Sequence, residues 1–127
     1  MTQVRDLMTP MPQTIGFDIS VEKALEMMKE FSCHHLPVLD GGKLVGVLSD
    51  RDLSIARHDP KNVKTEHLVM DLMSDAPIVI KPSTEINTAI RTMLDNKINS
   101  LIIQAEENQP WGILTSTDLL RYVVEKS

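Results

Sequence analysis

The pattern Gly-x-x-Ser/Thr-x-x-Asp occurs twice in this chain, as Gly46, Ser49 and Asp52 and again as Gly112, Thr115 and Asp118. A Ser or Thr followed three residues on by an acid is a capping box. Its hydroxyl and carboxylate take up N–H groups left open in the first turn of a helix. Capping does not need the glycine. A glycine inside a strand weakens it unless some other group must approach the backbone closely. A strand-to-helix junction also aims N–H groups and the positive end of the helix dipole outward, which suits a phosphate. The carboxylate three residues in can accept two hydrogen bonds from a ribose diol. The pattern therefore combines a close approach, an anion cradle and a sugar clamp.

Arg51 lies inside the first copy of the pattern, and Thr117 takes its place in the second. An arginine at a helix N-terminus opposes the dipole, and a bound phosphate would relieve it; the plainer reading is a surface arginine. His34 and His35 stand just before Leu36-Pro37-Val38. Neighbours in a strand point to opposite faces, so one histidine is expected to pack and the other to face a cleft as a donor. No other His, Cys or acid stands at ligand spacing from them, so no metal site is assigned. No Ser, His and acid follow a triad order, and no Gly-rich loop of Walker or Rossmann type occurs. No catalytic residue is assigned, and the chain is read as not an enzyme. The eight methionines fall mostly at helical core spacing and read as filler.

The elements that must position these residues also occur twice. Val4-Arg5-Asp6-Leu7-Met8 returns as Val69-Met70-Asp71-Leu72-Met73, an offset of 65 residues, and Gly46 returns as Gly112, an offset of 66. One added residue in the second hairpin accounts for the change. The first copy reads as a helical turn over Val4 to Met8 ended by Pro10 and Pro12, then a strand from Gln13 to Gly16. A helix follows from Asp18 or Ser20 to Phe31, with Val21, Ala24, Leu25, Met28 and Phe31 on one stripe and Met27 widening it. Strands Leu36 to Leu39 and Leu44 to Leu48 flank a turn at Gly41-Gly42, and Ser49 caps a helix to about Arg57.

The second copy repeats this order. It has a turn to Met73, a strand from Ile78 to Ile80, a helix from Ser83 to Asp95, and a strand from Leu101 to Ala105. A turn through Asn108 and Pro110, a strand from Trp111 to Leu114 and a helix from Thr115 to Glu125 complete it. The expected fold class is α+β: two β-α-β-β-α repeats packed about a pseudo-twofold axis. The first repeat spans 1–58, a polar connector 59–66, and the second repeat 67–127. Such packing would create paired clefts lined by both copies.

The 127 residues suit one compact domain of two halves. A unit of roughly 60 residues buries only about 60% of its unfolded surface, so each half should need the other. Aromatic residues are only Phe17, Phe31, Trp111 and Tyr122, so aliphatic side chains and Met must build the core. A net charge of −5 argues against a general nucleic-acid surface, and any anion site must be local. Cys33 is the one cysteine, which excludes an intrachain disulfide and fits a reducing compartment. The N-terminus has no apolar signal core, and no apolar run approaches the roughly 18 residues of a membrane span. The expected location is cytoplasmic, with no membrane contact.

The doubled Val-x-Asp-Leu-Met, the Ala-Leu-x-x-Met helix, His-His-Leu-Pro-Val and Gly-Val-Leu-Ser-Asp-Arg-Asp-Leu, in this order, resemble a tandem pair of CBS (cystathionine β-synthase) domains over nearly the whole chain. The resemblance implies a stand-alone regulatory module that binds adenosine-containing ligands between the repeats. It implies that each cleft joins a base pocket from one repeat to the sugar-binding Ser/Thr and Asp of the other. Carried over, one cleft joins Met73, Ile78, Val79, Ile98, Asn99 and Ser100 to Ser49, Arg51 and Asp52. The other joins Met8, Gln13, Thr14, Cys33, His34 and His35 to Thr115, Thr117 and Asp118. In adenylate-sensing members a basic pair before Leu-Pro-Val reaches a phosphate, which also assigns His34 and His35 to the primary cleft of Ser49, Arg51 and Asp52. The second copy departs from that pattern, with Asn99-Ser100 before Leu101.

The expected function is a sensor for an adenine nucleotide, with no resident cofactor. AMP, ADP, ATP, S-adenosylmethionine and a dinucleotide all fit. The alternative is a ligand-free CBS pair acting as a dimerisation or docking scaffold. A homodimer is expected from Met27 beside Met28 and from the doubled Leu119-Leu120 and Val123-Val124 of the last helix. A phosphate is expected to prefer the primary cleft, giving one tight site per chain whose affinity strengthens as pH falls from about 8 toward 6.

Overall fold

A computed structural model of the chain describes residues 2–58, 67–106 and 111–126, the side chains of 55–58 excepted. The connector 59–66 and the turn through Asn108 and Pro110 lie outside the described residues. The chain forms two compact units whose boundaries cut across the sequence copies. One unit is 13–77, and the other joins 1–12 to 78–127.

In the unit of 13–77 the sheet runs β2(Ile15–Gly16)-β3(His35–Asp40)-β4(Lys43–Ser49)-β5(Ser74–Asp75). The β2–β3 pair is parallel and the others are antiparallel. Helices α1(Val21–Glu30), α2(Asp50–His58) and α3(Val69–Leu72) complete it. The other unit repeats the plan. Its sheet runs β1(Thr9–Pro10)-β8(Trp111–Thr115)-β7(Ser100–Gln104)-β6(Val79–Ile80), with α4(Ile86–Asn96), α5(Ser116–Lys126) and a 3₁₀ turn at Val4–Asp6. The fold is the expected α+β class.

Each core follows the apolar periodicity. Ala24 and Met28 of α1 pack with Leu36, Val38, Leu48 and Leu53, and Ala89 and Met93 of α4 pack with Leu101, Ile103, Leu114 and Leu119. Ser20 caps α1 by accepting the Lys23 N–H at 3.2 Å. Three expectations about these helices need correction. Phe31 lies past the end of α1 and is exposed, because the helix stops at Glu30. Met27 is half-buried against the core and so does not widen an open face. The long helix of the second copy, α4, begins at Ile86, not Ser83, because Ser83 and Thr84 lie in a turn in which Thr84 donates its N–H to the Lys81 carbonyl.

The doubled Val-x-Asp-Leu-Met explains the unit boundaries. Val4 donates its N–H to the Thr84 carbonyl at 2.9 Å, and Val69 donates to the Ile19 carbonyl at 2.8 Å. Each leading turn thus docks on the start of the long helix of the opposite copy. Both valines are fully buried there. Asp6 accepts the Gln3 N–H and Asp71 accepts the Leu68 N–H, each at 2.9 Å, so the repeated acid holds the turn's own backbone. The chain then runs on as β1 or β5, pairing with β8 or β4. These two short strands stand where the sequence led us to expect only the end of a turn.

Candidate functional site

Strand β4 ends at Ser49 and α2 starts at the next residue, so the box sits at the strand-to-helix junction. Ser49 donates its N–H to Asp52 Oδ2 at 3.0 Å, and Asp52 donates its N–H to Ser49 Oγ at 3.1 Å. In the other unit Thr115 donates its N–H to Asp118 Oδ2 at 2.9 Å, and Asp118 donates its N–H to Thr115 Oγ1 at 3.3 Å. Both boxes are closed. Capping does not exhaust the acids, because a carboxylate has about four acceptor positions. Among the described residues no partner holds Asp52 Oδ1, whereas Asp118 Oδ1 lies 3.8 Å from Arg121 Nη1.

The glycines have a different cause from the one expected. A Cβ on Gly46 would stand 2.7 Å from Met73 Sδ and 2.7 Å from the Ser74 carbonyl oxygen. On Gly112 it would meet Met8 Sδ at 2.7 Å and the Thr9 carbonyl oxygen at 2.9 Å. The close approach is real, but the approaching group is the exchanged leading segment. The fold accounts for both glycines, and they carry no argument for a ligand.

His34 and His35 differ in exposure. His35 is half-buried and opposes Ser49 in the β3–β4 register, and His34 is exposed. His34 donates from Nδ1 to Asp50 Oδ2 at 2.8 Å, and Asp50 donates its N–H to the His34 carbonyl at 2.9 Å. Asp50 is a residue the sequence reading did not single out. Its position next to Ser49 was a signal, but its partner lies 16 residues away across the hairpin. Arg51 is exposed in the first turn of α2, and Thr117 is exposed in α5.

The unit of 13–77 gathers Gln13, Thr14, Cys33, His34, His35, Ser49, Arg51, Asp52 and Met73. The other unit gathers Met8, Ile78, Val79, Ile98, Asn99, Ser100, Thr115, Thr117 and Asp118. Ser100 opposes Thr115 as His35 opposes Ser49. Cys33 and Ile98 are equivalent: each donates its N–H back to a helix carbonyl, Met28 or Met93, at 3.0 Å, and each packs on its core. Burial pushes the Cys33 thiol above its ordinary range, partly offset by backbone hydrogen bonds. Among the described residues no three His, Cys, Asp or Glu side chains cluster to hold a metal, and no helix is long and apolar enough to cross a membrane.

Similarity to known proteins points the same way. The CBS domain family matches residues 4–59 and 69–125. An inosine-5′-monophosphate dehydrogenase of Korarchaeum cryptofilum is 32% identical over 91% of this chain, but the chain spans only 22% of that enzyme. A CBS domain-containing protein of Dictyostelium discoideum is 28% identical over 96% of this chain and 91% of its own length. Among solved structures, CBSX2 in complex with AMP is 29% identical, covers 98% of both chains and superposes with a TM-score of 0.81. The two matched segments, the two units of one plan and the full-length superposition establish that the chain belongs to the CBS domain family, as a tandem pair.

Proposed function

We propose that this CBS pair is a regulatory module that binds an adenosine-containing nucleotide and catalyses no reaction on it. The reading is carried by the doubled box, with Asp52 held half-buried at a helix N-terminus and one carboxylate oxygen without a partner among the described residues. That oxygen suits a ribose diol, and the N-terminus of α2, with Arg51 beside it, suits a phosphate. A full-length structural relative holding AMP supports the choice of an adenine nucleotide. Within this reading Ser49, Arg51, Asp52, His34 and His35 form the phosphate-preferring site, and Thr115, Thr117 and Asp118 the weaker one.

The closed boxes also favour a second reading, since they would look the same in a scaffold that binds nothing. Asp52→Ala separates the two. As a sugar clamp, Asp52 contributes charged hydrogen bonds of roughly 1.5–3 kcal/mol, so its loss costs on the order of ten- to a hundredfold in AMP affinity. As a cap alone, its loss costs about 1 kcal/mol of stability, and no nucleotide raises the Tm of either protein. Thermal melts and calorimetric titration on the same samples decide. We also propose a homodimer through α5, where Leu120, Val123 and Val124 are 67, 60 and 72% exposed; Leu119 of the expected pair is buried in the core instead. Sedimentation at micromolar concentration that shows only monomer refutes it.

A further inference from the structure

The duplication supplies an internal comparison. The bond from the Asp50 N–H to the His34 carbonyl, 2.9 Å, recurs as one from the Ser116 N–H to the Asn99 carbonyl, 3.0 Å. The second unit therefore builds this junction with neither an acid nor an imidazole. In the first unit the Asp50 carboxylate makes a further 2.8 Å bond to His34 Nδ1. Capping does not use that carboxylate, because Ser49 and Asp52 already take each other's N–H groups. The pair adds little to folding either, since its side chains are 72% and 53% exposed and open ion pairs are weak. What it does is fix the ring. An acceptor at Nδ1 sets the tautomer and orientation of the imidazole. Nε2, on the far side of the ring, has no partner among the described residues.

We propose that Asp50 is a positioning residue, holding His34 so that Nε2 donates to a phosphate of the bound nucleotide, with one proton taken up on binding. The proposal rests on the nucleotide reading above and deepens it, since it makes the site select phosphorylated over unphosphorylated ligands. With Nδ1–H given to Asp50, a neutral ring has only a lone pair at Nε2. A phosphate dianion also presents only acceptors. Contact between them needs a proton from solvent, and the resulting imidazolium donates to the carboxylate on one side and the phosphate on the other. Besides Asp50, the charged or titratable groups nearby in the chain are Arg51 and Asp52 in the first turn of α2, Cys33 and His35 beside the histidine, and Lys29 and Glu30 at the end of α1. Arg51 and Lys29 are the fixed cations of this set, and His34 is the imidazole that the Asp50 carboxylate holds in place.

The test is calorimetric titration of the full chain with AMP and with adenosine, near neutral pH, in two buffers of different ionisation heat. The wild type should take up protons with AMP and none with adenosine. Asp50→Asn should weaken AMP about tenfold and abolish the proton uptake while leaving adenosine affinity unchanged. His34→Asn should likewise weaken AMP and abolish the uptake, and Asp50→Glu should restore part of the uptake. AMP binding with wild-type affinity and proton uptake in Asp50→Asn overturns the proposal alone. Failure of both AMP and adenosine to bind the wild type overturns the nucleotide reading and this proposal with it.

Discussion

Gly46 and Gly112 show how one residue type can mislead about function. Both lie under the exchanged leading segment, and a methyl on either would strike a backbone oxygen that cannot swing away. Gly46→Ala should therefore lower stability by about 1–3 kcal/mol, read by denaturant unfolding, whether or not a nucleotide is present. A ligand-contact glycine would instead lose affinity with stability kept. Cys33 gives a second check. Burial holds its thiol above the ordinary range, and only the thiolate is nucleophilic. Alkylation at neutral pH should be slower than for an open thiol and should still be rising with pH where an ordinary thiol has levelled off. The boxes were legible in sequence because their partners stand three residues apart. The His34–Asp50 bond was not, because it depends on a hairpin register that brings distant residues together.

The elements with a long repeat of apolar residues were legible to within a few residues, as α1, α4 and α5 show. Strands β1 and β5 were not, since two residues carry no periodicity and β1 itself contains Pro10. Neither was the cost of leaving the long helices. Lys97 and Ser32 occupy equivalent positions after α4 and α1 with φ of 54° and 51°, in the left-handed region that disfavours a side chain. The chain accepts this because the turn sends Ile98 and Cys33 back onto the cores. Lys97→Gly should therefore raise stability by roughly 0.5–1 kcal/mol, visible as a higher Tm. A lower Tm would mean that the lysine's own contacts outweigh the backbone strain.

At the scale of the molecule, the copies are plain in the sequence and the units are not. Repetition shows which segments are alike, but not which of two like segments fills a given place. Val4 and Val69 could each sit on either helix start by pattern alone; the structure seats each on the opposite copy. The chain passes between units at 12–13 and at 77–78, each time just after a proline, while His58 and His67, on either side of 59–66, belong to the same unit. Cutting the backbone within 59–66 should therefore not release two independent units. Fragments 1–62 and 63–127, expressed separately and mixed, should reassemble and melt together, and fragments that stay apart on gel filtration would count against this topology. A lone first copy would lack the buried valine that closes its own core. It could recover one only by trading arms with a twin, so the tandem chain amounts to a swapped pair of ancestral halves with a covalent tether.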